Sequence, residues 1–386
     1  MAFSEFSFQL PTRIEFGAGI IKTVGEEAKK LGATKLMLVA DKGVIAAGLT
    51  VDVETSLKKA GIDYIVYDGI ISNPRIAHCE EAYRIAKAEK VDVLVAVGGG
   101  SSIDTAKAVG TLLTHGKTIQ DWCGYYLLER EITPLIAIPT TCGTGSEVTP
   151  FAVVTDTETH IKLNIFDSKA APKVALVDPT VLLKLPSKIM ASTGVDAMTH
   201  AVEAYTCKLA NPVTDAAALY AIELINKNLR EAVKNPNLEN CAGMMLGSMI
   251  AGIAFGYSDV GGAHCMAEAI GGRYDTPHGV ACALFLPAIT EYNVPADVEK
   301  HANMARYLGV DTKGMTAKEA AYAGVAALEQ LCRDVGIPKL SEVDKVNPDD
   351  FEALAIASEK NVSTPSNARE ITATDYFDLF KALYAL

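Results

Sequence analysis

Residues 91–113 read VDVLVAVGGGSSIDTAKAVGTLL. Apart from Asp92, the run Val91–Val97 is apolar throughout, which is the pattern of a parallel strand covered on both faces. Gly98, Gly99, Gly100 and Ser101 follow without a spacer, and SSIDTAKAVGTLL has the spacing of the helix this turn opens. Three glycines let a backbone approach a ligand closely, and a helix N-terminus offers unpaired N–H groups to an anion. The stretch fits a pyrophosphate cradle and a plain strand–helix turn about equally well. It is not the GxGxxG fingerprint: the pattern fails after Gly100, and the acid placed to meet a ribose, Asp41, precedes the glycines.

The alternation extends in both directions. FSFQLPTRIE (6–15) carries strand-like apolar spacing, and FGAG (16–19) turns into a helix over 20–32. KLMLVA (35–40) is a buried strand ending at Asp41, followed by a helix near 50–60, a strand at Tyr64–Tyr67 and a helix over 76–89. Leu135–Ile138 is another strand, running into PTTCGTGSEVT (139–149), where Thr140, Thr141, Thr144 and Ser146 suit a loop that bonds a polar ligand or its own backbone. Val153–Asp156 and His160–Ile165 form a possible hairpin carrying Lys162. This order predicts an α/β domain with a mostly parallel sheet. After VALVDPTVLLKLP (174–186) strand signals stop. Apolar-periodic helices are predicted over 187–208, 212–229, 238–256, 263–272, 279–291, 297–307, 316–335 and 371–385. The expected division is therefore 1–185, α/β, and 186–386, all-α.

Composition narrows the function. A chain of 386 residues has two domains as its natural prior. A net charge of −12 argues against a nucleic-acid surface, which needs clustered Lys and Arg. No run of about 20 uninterrupted apolar residues suits a membrane span, and the N-terminus lacks the layout of a secretory signal. Eight cysteines are scattered with no CxxC, so a disulfide framework is not indicated. A cytoplasmic protein with no membrane or nucleic-acid partner is expected.

The helical half holds the other cluster. GVDAMTHAVEAY (194–205) sets Asp196 and His200 four apart, on one helical face with Cβ atoms about 5–6 Å apart. His264 in GGAHCMAEAIGG and His278 in TPHG follow in the same apolar region. Read together, these four residues hold one divalent metal; read singly, each histidine could be a core side chain. Three imidazoles and a carboxylate suit iron(II), zinc, cobalt or nickel, and such a cation could act as a Lewis acid on a substrate oxygen.

GGGSSIDTAK (98–107), PTTCGTGSE (139–147), GVDAMTHAVEAY (194–205) and HCMAEAIGGRYDTPHG (264–279) resemble the iron-containing (group III) alcohol dehydrogenases, a family that includes lactaldehyde reductases and 1,3-propanediol dehydrogenases. The similarity runs from FGAG to NAREIT (367–372). It implies a dehydroquinate synthase-like architecture, with an N-terminal dinucleotide-binding domain and a C-terminal helical one. It implies Asp196, His200, His264 and His278 as metal ligands, iron(II) as the family metal with zinc a competitor, and no catalytic residue beyond the metal site. It places Asp41 at the adenosine ribose, Gly98, Gly99, Gly100 and Ser101 at the pyrophosphate, and Thr140, Thr141, Thr144 and Lys162 along NAD(H). A homo-oligomer, a dimer or larger, is also implied.

Departures from the family lie near the expected substrate pocket. Glu268 stands where a second histidine is usual, four residues after His264. Phe255 matches a common pocket aromatic, but Tyr257 and Asp259 replace an Asn and an apolar residue. Arg273 takes an aromatic position, and Ser363 falls where a small residue or Cys is typical. These changes suggest a polar pocket in which Arg273 holds an anionic group of a small primary alcohol or aldehyde; the plainer reading pairs Arg273 with a nearby carboxylate. Two other functions compete with hydride transfer: a carbon–oxygen lyase of the dehydroquinate synthase type, and a non-catalytic metal- and nucleotide-binding protein.

Overall fold

A computed structural model describes residues 5–158 and 161–386. The chain divides into two compact units: Gln9–Lys184, and Leu185–Leu386 together with the short N-terminal segment that ends at Phe8.

The first unit contains strands β1 (Arg13–Phe16), β2 (Lys35–Val39), β3 (Asp63–Tyr67), β4 (Val93–Gly98), β5 (Gly124–Tyr125), β6 (Leu135–Pro139), β7 (Phe151–Asp156), β8 (Ile161–Phe166) and β9 (Val174–Val177). Its helices are α1 (Val24–Lys30), α2 (Lys42–Ala46), α3 (Val51–Ala60), α4 (Ile76–Ala88) and α5 (Gly100–His115). Six strands form one sheet in the order β1-β9-β6-β4-β2-β3, every pair parallel. β4, β6 and β9 are buried along their whole length, which is why VLVAVG, LIAIP and VALV carry no alternation. From β2 the chain passes to β3 on one side, and β4 then lies on the other. The carboxyl ends of β2 and β4 thus flank a topological switch point, where open α/β sheets form their ligand crevice.

A smaller sheet, β5-β8-β7, holds the antiparallel pair β7–β8, with Thr155 opposite Lys162. The expected start of the second strand of this hairpin, His160, lies outside the described residues. The N-terminal strand is shorter than its apolar spacing suggests: among the described residues it begins only at Arg13. Pro11 offers no N–H to a ladder and ends the pattern on that side.

The second unit is helical: α6 (Ser187–Thr206), α7 (Pro212–Lys234), α8 (Leu238–Gly256), α9 (Gly262–Tyr274), α10 (His278–Asn293), α11 (Val298–Tyr307), α12 (Ala317–Asp334), α13 (Phe351–Glu359) and α14 (Ala373–Tyr384). Its helix starts are written in side chains. Asn211 with Thr214, Asn237 with Asn240, Thr316 with Glu319 and Thr372 with Asp375 each form a reciprocal capping box. The sequence reading missed α13, whose nine residues span too few turns to show a period. Met266, Ile270, Phe285, Phe351, Tyr376 and Phe380 pack into one core joining α9, α10, α13 and α14. Among the described residues, α8 alone is long and apolar enough to cross a membrane by composition; here it packs on α6 and α7.

Candidate metal and dinucleotide sites

In the helical unit, α6 carries Asp196, His200 and Glu203 at i, i+4 and i+7, so all three leave one face of the helix, and all three are buried. α9 brings His264 in its first turn, and α10 begins at His278, after Pro277. The backbone at Gly279 lets α10 press against α6: a Cβ there would stand 2.7 Å from the Ser192 carbonyl oxygen and 3.4 Å from Cβ of Asp196. His278 Nε2 lies 3.8 Å from Asp196 Oδ1. The His264 ring centroid is 4.5 Å from that of His200 and 5.5 Å from that of His278. The structure therefore brings together the four residues singled out from the sequence. It adds Cys282, since one ligand-type atom from each of Asp196, His264, His278 and Cys282 lies within 4.8 Å of the others.

Glu203 is the residue that sequence reasoning passed over. Its Oε2 is 2.5 Å from His264 Nδ1, and its Oε1 accepts from the Ala263 N–H at 2.7 Å. Its spacing of seven from Asp196 was the available signal. Burial works against a charged His264 ring, but the hydrogen bond and charge of Glu203, with Asp196 and Glu268 behind it, outweigh this and raise the pKa. With Nδ1 engaged, Nε2 is left buried and without a hydrogen-bond partner among the described residues. Such an atom costs about 1–3 kcal/mol. A divalent cation meets that need, and a carboxylate behind a ligating imidazole is the usual outer support of a metal site. The donor set fits a metal.

The residues expected around the substrate fall into distinct settings. Phe255 stacks on His200 with centroids 4.0 Å apart. Glu268 accepts from Asn361 Nδ2 at 2.6 Å. Asp259 accepts from the Ser363 hydroxyl at 2.8 Å and from the Ser366 hydroxyl, and burial pushes its pKa up. The three form a clamp between the end of α8 and the 363–366 turn. The Tyr257 hydroxyl is buried with no hydrogen-bond partner among the described residues, and its ring meets Phe8 at 4.9 Å. Arg273, expected to hold an anionic group, donates to Asp350 Oδ1 at 2.6 Å with 56% of its side chain exposed. It sits in the last turn of α9, away from the first turn that carries His264.

In the α/β unit, the turn after β4 meets the loop after β6. A Cβ on Gly98 would stand 2.2 Å from Ser102 Oγ and 3.7 Å from Asp41 Oδ2. On Gly99 it would stand 3.3 Å from Thr141 Oγ1, and on Gly100 2.9 Å from Thr144 Cγ2. Thr140 N donates to Gly98 O at 3.0 Å. Asp41, Gly98, Gly99, Gly100, Thr140, Thr141 and Thr144 thus share one place, at the switch point. Asp41 also caps α2, accepting from Val44 N at 2.9 Å. Ser101 lies in the first turn of α5, whose N-terminus has no side-chain cap. The charge of Lys162, on β8, reaches Asp104. A glycine backbone at Gly98 that a larger residue would strain, beside hydroxyls and one carboxylate, fits a dinucleotide.

Beneath this loop lies a network the motifs alone did not disclose. Lys107 is fully buried and donates to Ser146 Oγ (3.1 Å), Thr149 O (3.1 Å), Thr149 Oγ1 (3.2 Å) and Phe151 O (2.6 Å). Ser146 Oγ donates to Asp104 Oδ1 at 2.5 Å. Burial lowers the Lys107 pKa to about 8 against the pull of Asp104 and Glu147. Burial raises Glu147 to about 7, opposed by its own backbone N–H and by Lys107. The network fastens 146–151 to α5.

Known proteins agree with this chemistry. The iron-containing alcohol dehydrogenase model matches residues 11–179, and the model of the C-terminal part of the Fe-containing alcohol dehydrogenase family matches 190–384. The 1,3-propanediol dehydrogenase of Citrobacter freundii is 39% identical over the full length of both chains. The lactaldehyde reductase of Escherichia coli K12 is 37% identical, covering 95% of this chain and 96% of its own. A crystal structure of a 1,3-propanediol oxidoreductase superposes with a TM-score of 0.96 at 38% identity, covering 98% of this chain and 100% of its own. These matches favour hydride transfer over the lyase and the non-catalytic readings. With one half of the chain built for a dinucleotide, the other for a metal, and both matched by the family's models, the protein belongs to the iron-containing alcohol dehydrogenases, NAD-dependent oxidoreductases of alcohols and aldehydes.

Proposed function

We propose that this chain interconverts a small primary alcohol and its aldehyde, with NAD(H) held by the 1–185 half and a divalent metal held by Asp196, His200, His264 and His278 in the 186–386 half. The observation that carries the reading is the buried His264 Nε2, left without a hydrogen-bond partner among the described residues while Glu203 holds Nδ1, in a group that also gathers Asp196 and His278. A bound cation supplies Lewis acidity at a carbonyl, and bound NAD(H) gives or takes the hydride. The protein's own part is positional. Glu203 fixes the His264 ring, and Phe255 stacks on His200. Gly98, Gly99, Gly100 and Ser101 open a backbone approach to pyrophosphate at the start of α5, while Thr140, Thr141, Thr144 and Lys162 line the cofactor. Asp41 accepts from ribose hydroxyls and repels a 2′-phosphate, which favours NAD over NADP. No side chain is required as a base at carbon.

The family's namesake metal is iron(II), with zinc the natural competitor for imidazole ligands. The pairing of Arg273 with Asp350 removes the reason to place an anionic substrate group there. A cytoplasmic homo-oligomer completes the reading. None of the eight cysteines is in a disulfide, and the exposed Tyr125, Tyr126 and Leu127 offer apolar surface for pairing. The test is paired: Asp196→Ala and His278→Ala should lose bound metal and aldehyde-dependent NADH oxidation while retaining NADH binding by fluorescence. Full turnover by either metal-free variant would refute the assignment.

A further inference from the structure

Cys282 lies four residues after His278 on α10, so both side chains leave the same face of the helix. It is fully buried, and its Sγ is 3.6 Å from His278 Nε2. Its sulfur lies within 4.8 Å of ligand-type atoms of Asp196 and His264 as well. A second observation marks the same spot as a ligand position. His264, only 4% exposed, presents there an Nε2 with no hydrogen-bond partner among the described residues. Cys265, by contrast, also buried on α9, accepts from the Thr364 hydroxyl at 3.3 Å and falls outside the converging group.

We propose that Cys282 contributes its sulfur to the metal set formed with Asp196, His264 and His278, and that this sulfur shifts the preference of the site from iron(II) towards zinc. The proposal rests on the metal reading given above. Added to the carboxylate oxygen and the imidazole nitrogens already assigned to the metal, a soft thiolate donor favours zinc over a harder cation. On binding, the Sγ–H bond breaks, an Sγ–metal bond forms and the proton passes to solvent; no electron is transferred. His200, stacked on Phe255 and with its ring centroid 4.5 Å from that of His264, keeps its place in the set.

The experiment loads metal-stripped protein anaerobically with cobalt(II) and records the near-ultraviolet spectrum. The wild type should bind one cobalt and show thiolate-to-cobalt charge-transfer absorption. Cys282→Ser should keep the cobalt and lose the band. In competition, the zinc-over-iron(II) preference of the variant should fall by no less than the roughly tenfold that even an outer partner of a ligand is worth. X-ray absorption of the zinc-loaded wild type should show a sulfur neighbour at ~2.3 Å, whether or not the variant folds. Cobalt bound with no such band, or zinc bound with nitrogen and oxygen neighbours alone, overturns the role of Cys282 and leaves the metal reading standing. Failure of the wild type to bind any cobalt overturns both.

Discussion

The hydrogen bond that His264 Nδ1–H donates to Glu203 decides which nitrogen of the ring is offered to a metal, because an imidazole engaged on one side presents the other. Replacing Glu203 with Gln keeps the shape and removes the charge. The expected result is a protein that folds but binds metal about 10–100-fold more weakly, as read by chelator competition. The second prediction at this scale concerns Glu147 in the α/β unit, where burial holds the carboxyl at about 7 against an ordinary 4.5. The folded protein binds this proton more tightly than the unfolded chain does. The contribution of Glu147 is therefore fully present below pH 4.5 and is lost as pH rises towards 7. Glu147→Gln, neutral at every pH, should lack that loss. The stability difference between wild type and variant should change by about 3 kcal/mol across the window in urea titrations. A flat difference would show that Glu147 does not titrate in this range.

Elements set these residues in place, and a close constraint on the metal-type donors is where α10 meets α6. With 2.7 Å from a Cβ of residue 279 to the Ser192 carbonyl, Gly279→Ala must push the helices apart and carry His278 away from Asp196. Helix content by circular dichroism should hold while bound metal falls at least tenfold; unchanged metal affinity would mean that the approach of α10 does not set the site. The same helices show what was legible beforehand. The Asp196–His200 spacing, the glycine turn after β4 and the apolar runs of β4, β6 and β9 are local patterns, so they could be read from the sequence. Glu203 offered only its spacing of seven from Asp196, and its role, like those of Lys107 and Cys282, became legible only after α9, the 146–151 segment and α10 were in position. Their roles depend on partners 61, 39 to 44 and, for Asp196, 86 residues away along the chain. Arg273 shows the converse. Its neighbours in sequence suggested a pocket, but its carboxylate partner comes from Asp350, 77 residues on.

At the scale of the whole molecule, one unit holds a parallel sheet with a glycine turn beside a hydroxyl-bearing loop at its switch point, and the other a helical array with buried metal-type donors. Neither suffices for hydride transfer alone, so activity must need both cofactor and cation. The most direct measurement is anaerobic NADH oxidation by metal-stripped protein with short aldehydes, comparing iron(II), zinc and no addition. The expected result is negligible turnover without metal and restored turnover with a divalent cation. Equal turnover with and without metal, or none at all when both metal and NADH are bound, would contradict the assignment of a metal-dependent alcohol dehydrogenase.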